Sequence, residues 1–422
     1  MSRPSDLIST AIDQHSDDLR RLSLEIHSHP ELGYEEHHAH DLLTKFLDGK
    51  GFKVTKHAGG VETAFTAEWE VDGDGSGEPV TIAFLSEYDA LPEIGSVARC
   101  RNLPPESVLR RFLFALHDPK SATLADTICV AAVLACKASL EVARPPSRTI
   151  IKLFGTPAEE TQGGKLDLLN ANLFNGVDIA IMAHPGNVNV ARPTFMAMME
   201  LVIEFFGKTA HAAAEPWAGI NALDAAVMAY NSVSAMRQQI LPTDRVHGII
   251  THGGAAANVI PDYTRLEYYI RSVKIADLHS LKDRIMACFQ GAAAATGCTF
   301  VVKDCPAYAD LKNNSVLAKL FEEEMMKMDA DFGDISVLEK IPRGSTDMGN
   351  VTQVIPGIHP IFDIVGGVGK FDIHTKEFER QAATESAHIA TMRCAKALAL
   401  VGYQCVVDSE VRGRVKEDFA RT

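Results

Sequence analysis

The sequence predicts an α/β protein: a domain with a mainly mixed sheet, interrupted by an inserted ferredoxin-like βαββαβ domain. Three observations carry that expectation. Apolar strand-like runs alternate with helical runs over both ends of the chain, the pattern of an α/β sheet. Between about residues 195 and 305 the rhythm changes to strand, helix, strand, strand, helix, strand. A chain of 422 residues also exceeds one ordinary core, so two domains are expected: 1–194 with 306–422, and 195–305.

Taken in order, Ile8, Ile12, Leu19, Leu22 and Ile26 recur on a rough 3.6-residue period and predict a first helix. A second amphipathic run covers 36–47, after the break at His29-Pro30-Glu31-Leu32-Gly33. Strands follow at 64–71 and 80–85, separated by the Asp/Gly loop 72–77. The runs 149–154 and 177–183 read as buried strands. Within the insertion, strands are expected at 197–206, 246–251, 264–271 and 299–303, with helices at 221–240 and 275–295. Helices at 315–327 and 380–401 resume the first pattern. There are no repeats and no low-complexity tract.

Composition narrows the function classes. Hydrophobic residues at 46% and charged residues at 23% are globular values. A formal net charge of -14 argues against nucleic acid and anionic membrane as partners. No apolar run is long enough to span a bilayer, and Met1-Ser2-Arg3-Pro4-Ser5-Asp6 lacks the apolar core of a signal peptide. Eight scattered cysteines without a CxxC pair suggest free thiols in a reducing compartment, so a cytoplasmic location is expected.

The residues that carry chemistry lie at predicted strand ends. Gly155-Thr156-Pro157-Ala158-Glu159-Glu160 follows a buried strand, Asp89 in Tyr88-Asp89-Ala90-Leu91-Pro92 ends another, and His184 follows a third. Carboxyl ends of strands are where α/β folds place their sites. Hydrolysing an amide at neutral pH needs an activated water, a general base and positive charge for the oxyanion. Two metal ions can supply the first and third, and a carboxylate the second. Adjacent Glu159 and Glu160 can divide the tasks of base and ligand. Taken singly, each residue has a plain reading: a solvated acidic pair, a hydrogen-bonded loop histidine, a helix cap at Asp89 or His374. In this order and at these places they outweigh it.

Across nearly its whole length the chain closely resembles the aminoacylase, carboxypeptidase and amidohydrolase metallopeptidases of peptidase family M20, above all their dipeptidase branch. The resemblance rests on His27-Ser28-His29-Pro30-Glu31-Leu32-Gly33, Glu87-Tyr88-Asp89-Ala90-Leu91-Pro92, the Glu159-Glu160 segment and Met182-Ala183-His184-Pro185. It continues through His211-Ala212-Ala213, the stretch Pro216–Ala225, Asn258-Val259-Ile260-Pro261, Gly344-Ser345-Thr346-Asp347, Pro356-Gly357-Ile358-His359-Pro360 and His374-Thr375. It implies hydrolysis of an amide or peptide bond in small carboxylate-bearing substrates, dipeptides or N-acyl amino acids. Glu159 would be the base, Glu160, His184 and His374 metal ligands, and Asp89 a residue that orients a ligand. Two divalent ions are implied, zinc first, with manganese or cobalt as alternatives. The insertion would be a dimerisation or lid domain that makes a homodimer. Its His211 would steady the oxyanion in the neighbouring protomer, while Asn258 and Arg271 would hold the substrate carboxylate. Each of these three also has a structural reading, as a helix cap, a turn residue and a salt-bridged strand arginine.

One segment departs from the pattern. Where the family has Gly-His-Ala-Cys-Gly-His-Asn, with Cys and the second His as ligands, this chain reads Gly95-Ser96-Val97-Ala98-Arg99-Cys100-Arg101-Asn102. The nearest match keeps Cys100, which the resemblance implies as a metal ligand, and loses both histidines; the flanking arginines would lower the thiol's pKa and also repel a divalent ion. From Leu103 to Ala122 there is no family counterpart. Three explanations stand: a retained intron or misplaced splice boundary, which the good matches on both sides favour; a genuine insertion in a catalytically impaired relative with partial metal occupancy; or replacement of the lost ligand by His117.

Overall fold

A computed structural model describes residues 3–75, 77–91, 120–121, 124–334, 337, 339–342, 344–366, 373 and 375–421. The chain divides into two compact units. Unit 1 comprises Met1–Thr194, Leu311–Pro342 and Asn350–Thr422, and unit 2 comprises Phe195–Asp310 and Arg343–Gly349.

Unit 1 opens with α1 (Pro4–Ser28) and α2 (His37–Gly49), then β1 (Lys53–Lys56), β2 (Phe65–Val71), β3 (Val80–Ser86), β4 (Ala90–Leu91) and β5 (Lys120–Ser121). It continues with α3 (Leu124–Val142), β6 (Thr149–Gly155), α4 (Gly164–Asn170), β7 (Ile179–Ile181) and β8 (His184–Gly186). The main sheet is six-stranded, in the order β1-β2-β6-β3-β7 followed by a late strand at Gly357–Ile358. It is mixed: β1, β2 and β6 are antiparallel to their neighbours in turn, whereas β6, β3, β7 and the late strand run parallel. Ile82, Ala83, Phe84 and Leu85 in β3 are all fully buried. That is why the strand reads as a continuous apolar run rather than an alternating one.

Unit 2 holds β9 (Ala197–Phe206), α5 (Ala222–Met236), β10 (Arg245–His252), β11 (Tyr263–Ser272), α6 (Ile275–Thr296) and β12 (Thr299–Asp304). Its sheet order is β10-β11-β9-β12, antiparallel throughout. Chain order βαββαβ with the first and last strands adjacent is the ferredoxin-like arrangement. The core joins Leu201, Ile203, Phe205, Leu266, Tyr268 and Ile270 of the sheet to Ala226 and Val233 of α5 and Ile285 and Phe289 of α6.

The chain then returns to unit 1 through α7 (Ser315–Met326), crosses α8 (Met348–Thr352), and ends with β13 (Gly357–Ile358), β14 (Ile361–Asp363), α9 (Lys376–Ala382), α10 (Glu385–Val407) and α11 (Ser409–Arg421). Helix α3 packs against both α1 and α10. Gly402 lets α10 approach β3, since a Cβ there would stand 2.9 Å from the Phe84 ring. The helix expected over 380–401 is in fact two helices. The Thr384 side chain accepts from Ala387 N and starts α10 afresh, so the apolar period continues across a break it does not reveal.

Candidate active site at the strand ends

Parallel strands bring their carboxyl ends to one edge of the unit 1 sheet, and the candidate residues follow directly. Ser86 of β3 lies in register with Gly155 of β6. Glu87 and Asp89 leave the first strand, Glu159 and Glu160 the second. Beyond β7 comes His184, and beyond β13 comes His359. Both the Thr156 amide and its hydroxyl donate to the Ser86 carbonyl, at 2.8 and 3.1 Å, tying the first two exits together.

The turn before Glu159 is held under strain. Ala158 has φ 59°, a left-handed conformation costly for a residue with a Cβ. Its amide donates to Glu36 Oε1 at 2.9 Å, and its carbonyl accepts from the amides of Gly163 (2.7 Å) and Gln162 (3.0 Å). Glu36 is fully buried and also accepts from Thr63 Oγ1 at 2.8 Å. Gly33 lies against this turn: a Cβ at residue 33 would stand 2.9 Å from the Ala158 Cα and 2.2 Å from Thr161 Oγ1. The amide of Ala90 donates to the Glu31 carbonyl at 2.7 Å. Thus the loop between α1 and α2 touches both the Asp89 and the Glu159 segments.

Charge is concentrated here. Asp89 Oδ2 accepts from the Glu160 amide at 2.9 Å. Burial, followed by the Glu160 and Glu36 charges, pushes the Asp89 carboxyl well above the ordinary range. Burial likewise raises Glu36, against the lowering effect of its hydrogen bonds. Glu87 and Glu159 are both buried, with carboxylate oxygens within 4.8 Å of each other. Lys165 forms a buried ion pair with Glu87. His184 Nδ1 lies 2.7 Å from the Pro185 carbonyl. Because a carbonyl only accepts, Nδ1 carries the proton and Nε2 keeps its lone pair, the tautomer suited to a metal. Its ring meets His359 at 6.0 Å between centroids. Burial, then the His184 and Lys165 charges, hold His359 far below the ordinary histidine range.

The structure thus brings together Asp89 with Glu160, and places Glu159 beside Glu87. Cys100, His117 and His374 lie outside the described residues. In unit 2, His211 is exposed; its Nδ1 accepts from the amides of Ala213 and Ala214 at 3.2 and 3.3 Å, so Nε2 bears the proton. The backbone carbonyl of Asn258 accepts from Ala212 N at 3.0 Å, next to His211 in the chain. Arg271 of β11 donates to Ser345 Oγ at 2.9 Å. The sequence alone does not point to Glu36, Glu87, Lys165 or His359 as participants. Glu87 and His359 directly follow strand ends, but β13 is two residues long and gives no period to read.

Comparison with known proteins adds the following. Residues 196–296 match the model of the peptidase dimerisation domain of M20 proteins. The chain is 39% identical to the Xaa-Arg dipeptidase of Homo sapiens, over 97% of its own length and 90% of that protein's. It is 39% identical to the Xaa-Arg dipeptidase of Mus musculus as well, again over 97% of this chain and 90% of the other. Among solved structures, an aminobenzoyl-glutamate utilization protein from Klebsiella pneumoniae superposes with a TM-score of 0.68 at 19% identity, covering 94% of this chain and 98% of that one. A dinuclear metal-binding M20 peptidase from Bacillus subtilis gives 0.62 at 20% identity, covering 92% and 99%.

Proposed function

We propose the reaction from one premise: this chain belongs to peptidase family M20, and is an enzyme of its dipeptidase and amidohydrolase kind. The substrates we assign are dipeptides with a free carboxylate and a basic C-terminal residue, in line with the Xaa-Arg dipeptidases it resembles over almost its whole length. The homodimer would form through unit 2. A cytoplasmic location accords with the free thiols, and no described helix is long and apolar enough to cross a membrane. The comparisons lend no support to the reading of an impaired relative.

The donor chemistry fits a pair of divalent cations. His184 presents an imine nitrogen, and Asp89 is driven toward its neutral form by burial and the Glu160 charge, a repulsion that a cation would reverse. We assign Glu160, His184, His374 and Cys100 as ligands, with Asp89 orienting them, and zinc as the first choice. When bound, such ions polarise the scissile carbonyl and acidify a water. Glu159 takes the proton from that water and delivers it to the departing amine. The His211 Nε2–H would donate to the oxyanion developing in the neighbouring protomer, and Arg271 with Asn258 would receive the substrate carboxylate.

The observation that carries this reading is the placement of Glu159 on a strained, hydrogen-bonded turn among buried strand-end carboxylates. Glu159→Gln tests it: kcat on Xaa-Arg dipeptides should fall about 100-fold or more while metal content stays the same. Turnover at the wild-type rate would remove Glu159 as the base.

A further inference from the structure

We propose that Glu25, His29 and His38 form a second kind of metal site, outside the strand-end set, which takes a borderline transition ion such as Zn2+ at the corner between α1 and α2. Glu25 and His29 lie one helical turn apart at the end of α1, and His38 lies in the first turn of α2. One ligand atom from each lies within 4.8 Å of the other two. His29 Nδ1 and His38 Nε2 each stand 3.5 Å from Glu25 Oε1. Nitrogen and oxygen ligands about 2.1 Å from a tetrahedral zinc ion are separated by about 3.4 Å, which the two nitrogen–oxygen spacings match.

Two further features point the same way. His38 Nε2 is shielded from water and makes no hydrogen bond, although it faces the Glu25 carboxylate. A buried, unfilled ring nitrogen is unfavourable unless something meets its lone pair. The two imidazoles face each other with centroids 4.5 Å apart, a contact that two protonated rings would resist and a shared cation would favour. The corner is also built in advance. The Glu31 carboxylate accepts from the amides of His38 and Ala39, both at 2.9 Å, which fixes the start of α2. Ligation through His29 Nδ1, which lies 2.9 Å from the Glu25 carbonyl and 3.1 Å from Ser28 Oγ, would exchange those contacts for the ion and carry the ring proton on Nε2 instead. Three protein ligands leave a fourth position for water.

The location gives the site a purpose. Residues 30–37 link His29 to His38, and this stretch supplies the Glu31 carbonyl to Ala90 and the Glu36 carboxylate to Ala158. A metal at the corner would clamp the loop that supports both the Asp89 and the Glu159 segments.

The test is equilibrium dialysis of the full chain against Zn2+, comparing wild type with the His29→Ala/His38→Ala variant, and repeating the pair in a Glu160→Ala/His184→Ala background that weakens the strand-end ligands. The variant should bind one ion fewer per chain in both backgrounds, while its unfolding midpoint in chelator matches that of its parent. Equal zinc content with and without the two histidines, in either background, would overturn the proposal and leave an ordinary His–Glu cluster. Failure of the strand-end reading would show differently, as no loss on changing Glu160 and His184. Glu25→Gln, a half-exposed position, provides a second variant if the double one does not fold. It should lower Zn2+ affinity at least tenfold, and unchanged affinity would count against the site.

Discussion

Lys165→Met asks whether the strand-end carboxylates depend on a buried counter-charge. Lys165 Nζ lies 2.5 Å from Glu87 Oε1, with the two side chains 0% and 6% exposed. At that separation and an effective dielectric of about 20, bare attraction is about 7 kcal/mol. Taking both charges out of water cancels much of this, so the pair's net worth is small. Breaking it is different. Removal of the lysine leaves Glu87 buried and within 4.8 Å of the Glu159 carboxylate, and the expected loss is about 3–5 kcal/mol. Urea unfolding at pH 7, followed by circular dichroism, should show a lower midpoint with an unchanged slope. Adding Glu87→Gln should restore part of the loss, giving a coupling of about 1–3 kcal/mol in the double-mutant cycle. A single variant within about 0.5 kcal/mol of wild type, or strictly additive effects, would refute the reasoning.

Other outcomes follow from the same edge. Gly33→Ala should cost about 1–3 kcal/mol by overpacking, because its Cβ meets Ala158 backbone as well as Thr161 Oγ1; Thr161→Ala in the same chain should relieve only part, measured by urea midpoints. Asp89 has a raised carboxyl pKa, so the stability linked to it is present at acid pH and lost as pH rises through that raised value. In chelator, Asp89→Asn should therefore exceed wild type in stability at pH 7 and not at pH 3; a less stable variant at pH 7 would contradict the assignment. His359 has the opposite sign: its depressed pKa gives stability present above about 6.5 and lost as pH falls. Between pH 7 and 5 the unfolding midpoint of wild type should drop more than that of His359→Gln, and parallel curves would dismiss the effect.

Much of this arrangement is legible in the sequence, for identifiable reasons. Strands β3 and β6 are buried within the sheet and write themselves as apolar runs, and the βαββαβ unit shows in the alternation of 197–206 and 264–271. Asp89, Glu159, Glu160 and His184 can be found because each follows such a run. What stays hidden depends on distance along the chain. The Lys165–Glu87 pair joins positions 78 residues apart, and Glu36 reaches Ala158 across 122. No periodicity encodes either. β13 is too short to have a pattern, so in the sequence His359 is only part of a family motif, without a task. The Glu25–His29–His38 corner escapes notice because His29-Pro30 reads as a helix break before it reads as a donor set.

The late pairing of β13 with β7 has a consequence for the order in which the strand ends assemble. Ile358 aligns beside Ile181 only after all of unit 2 has been synthesised between them. The acidic strand ends, which leave the directly paired β3 and β6, can therefore meet long before β13 joins the sheet. Closing so distant a pairing is slow relative to local helix formation. What arrives late is His359, which follows β13 and meets the His184 ring only once that strand has paired.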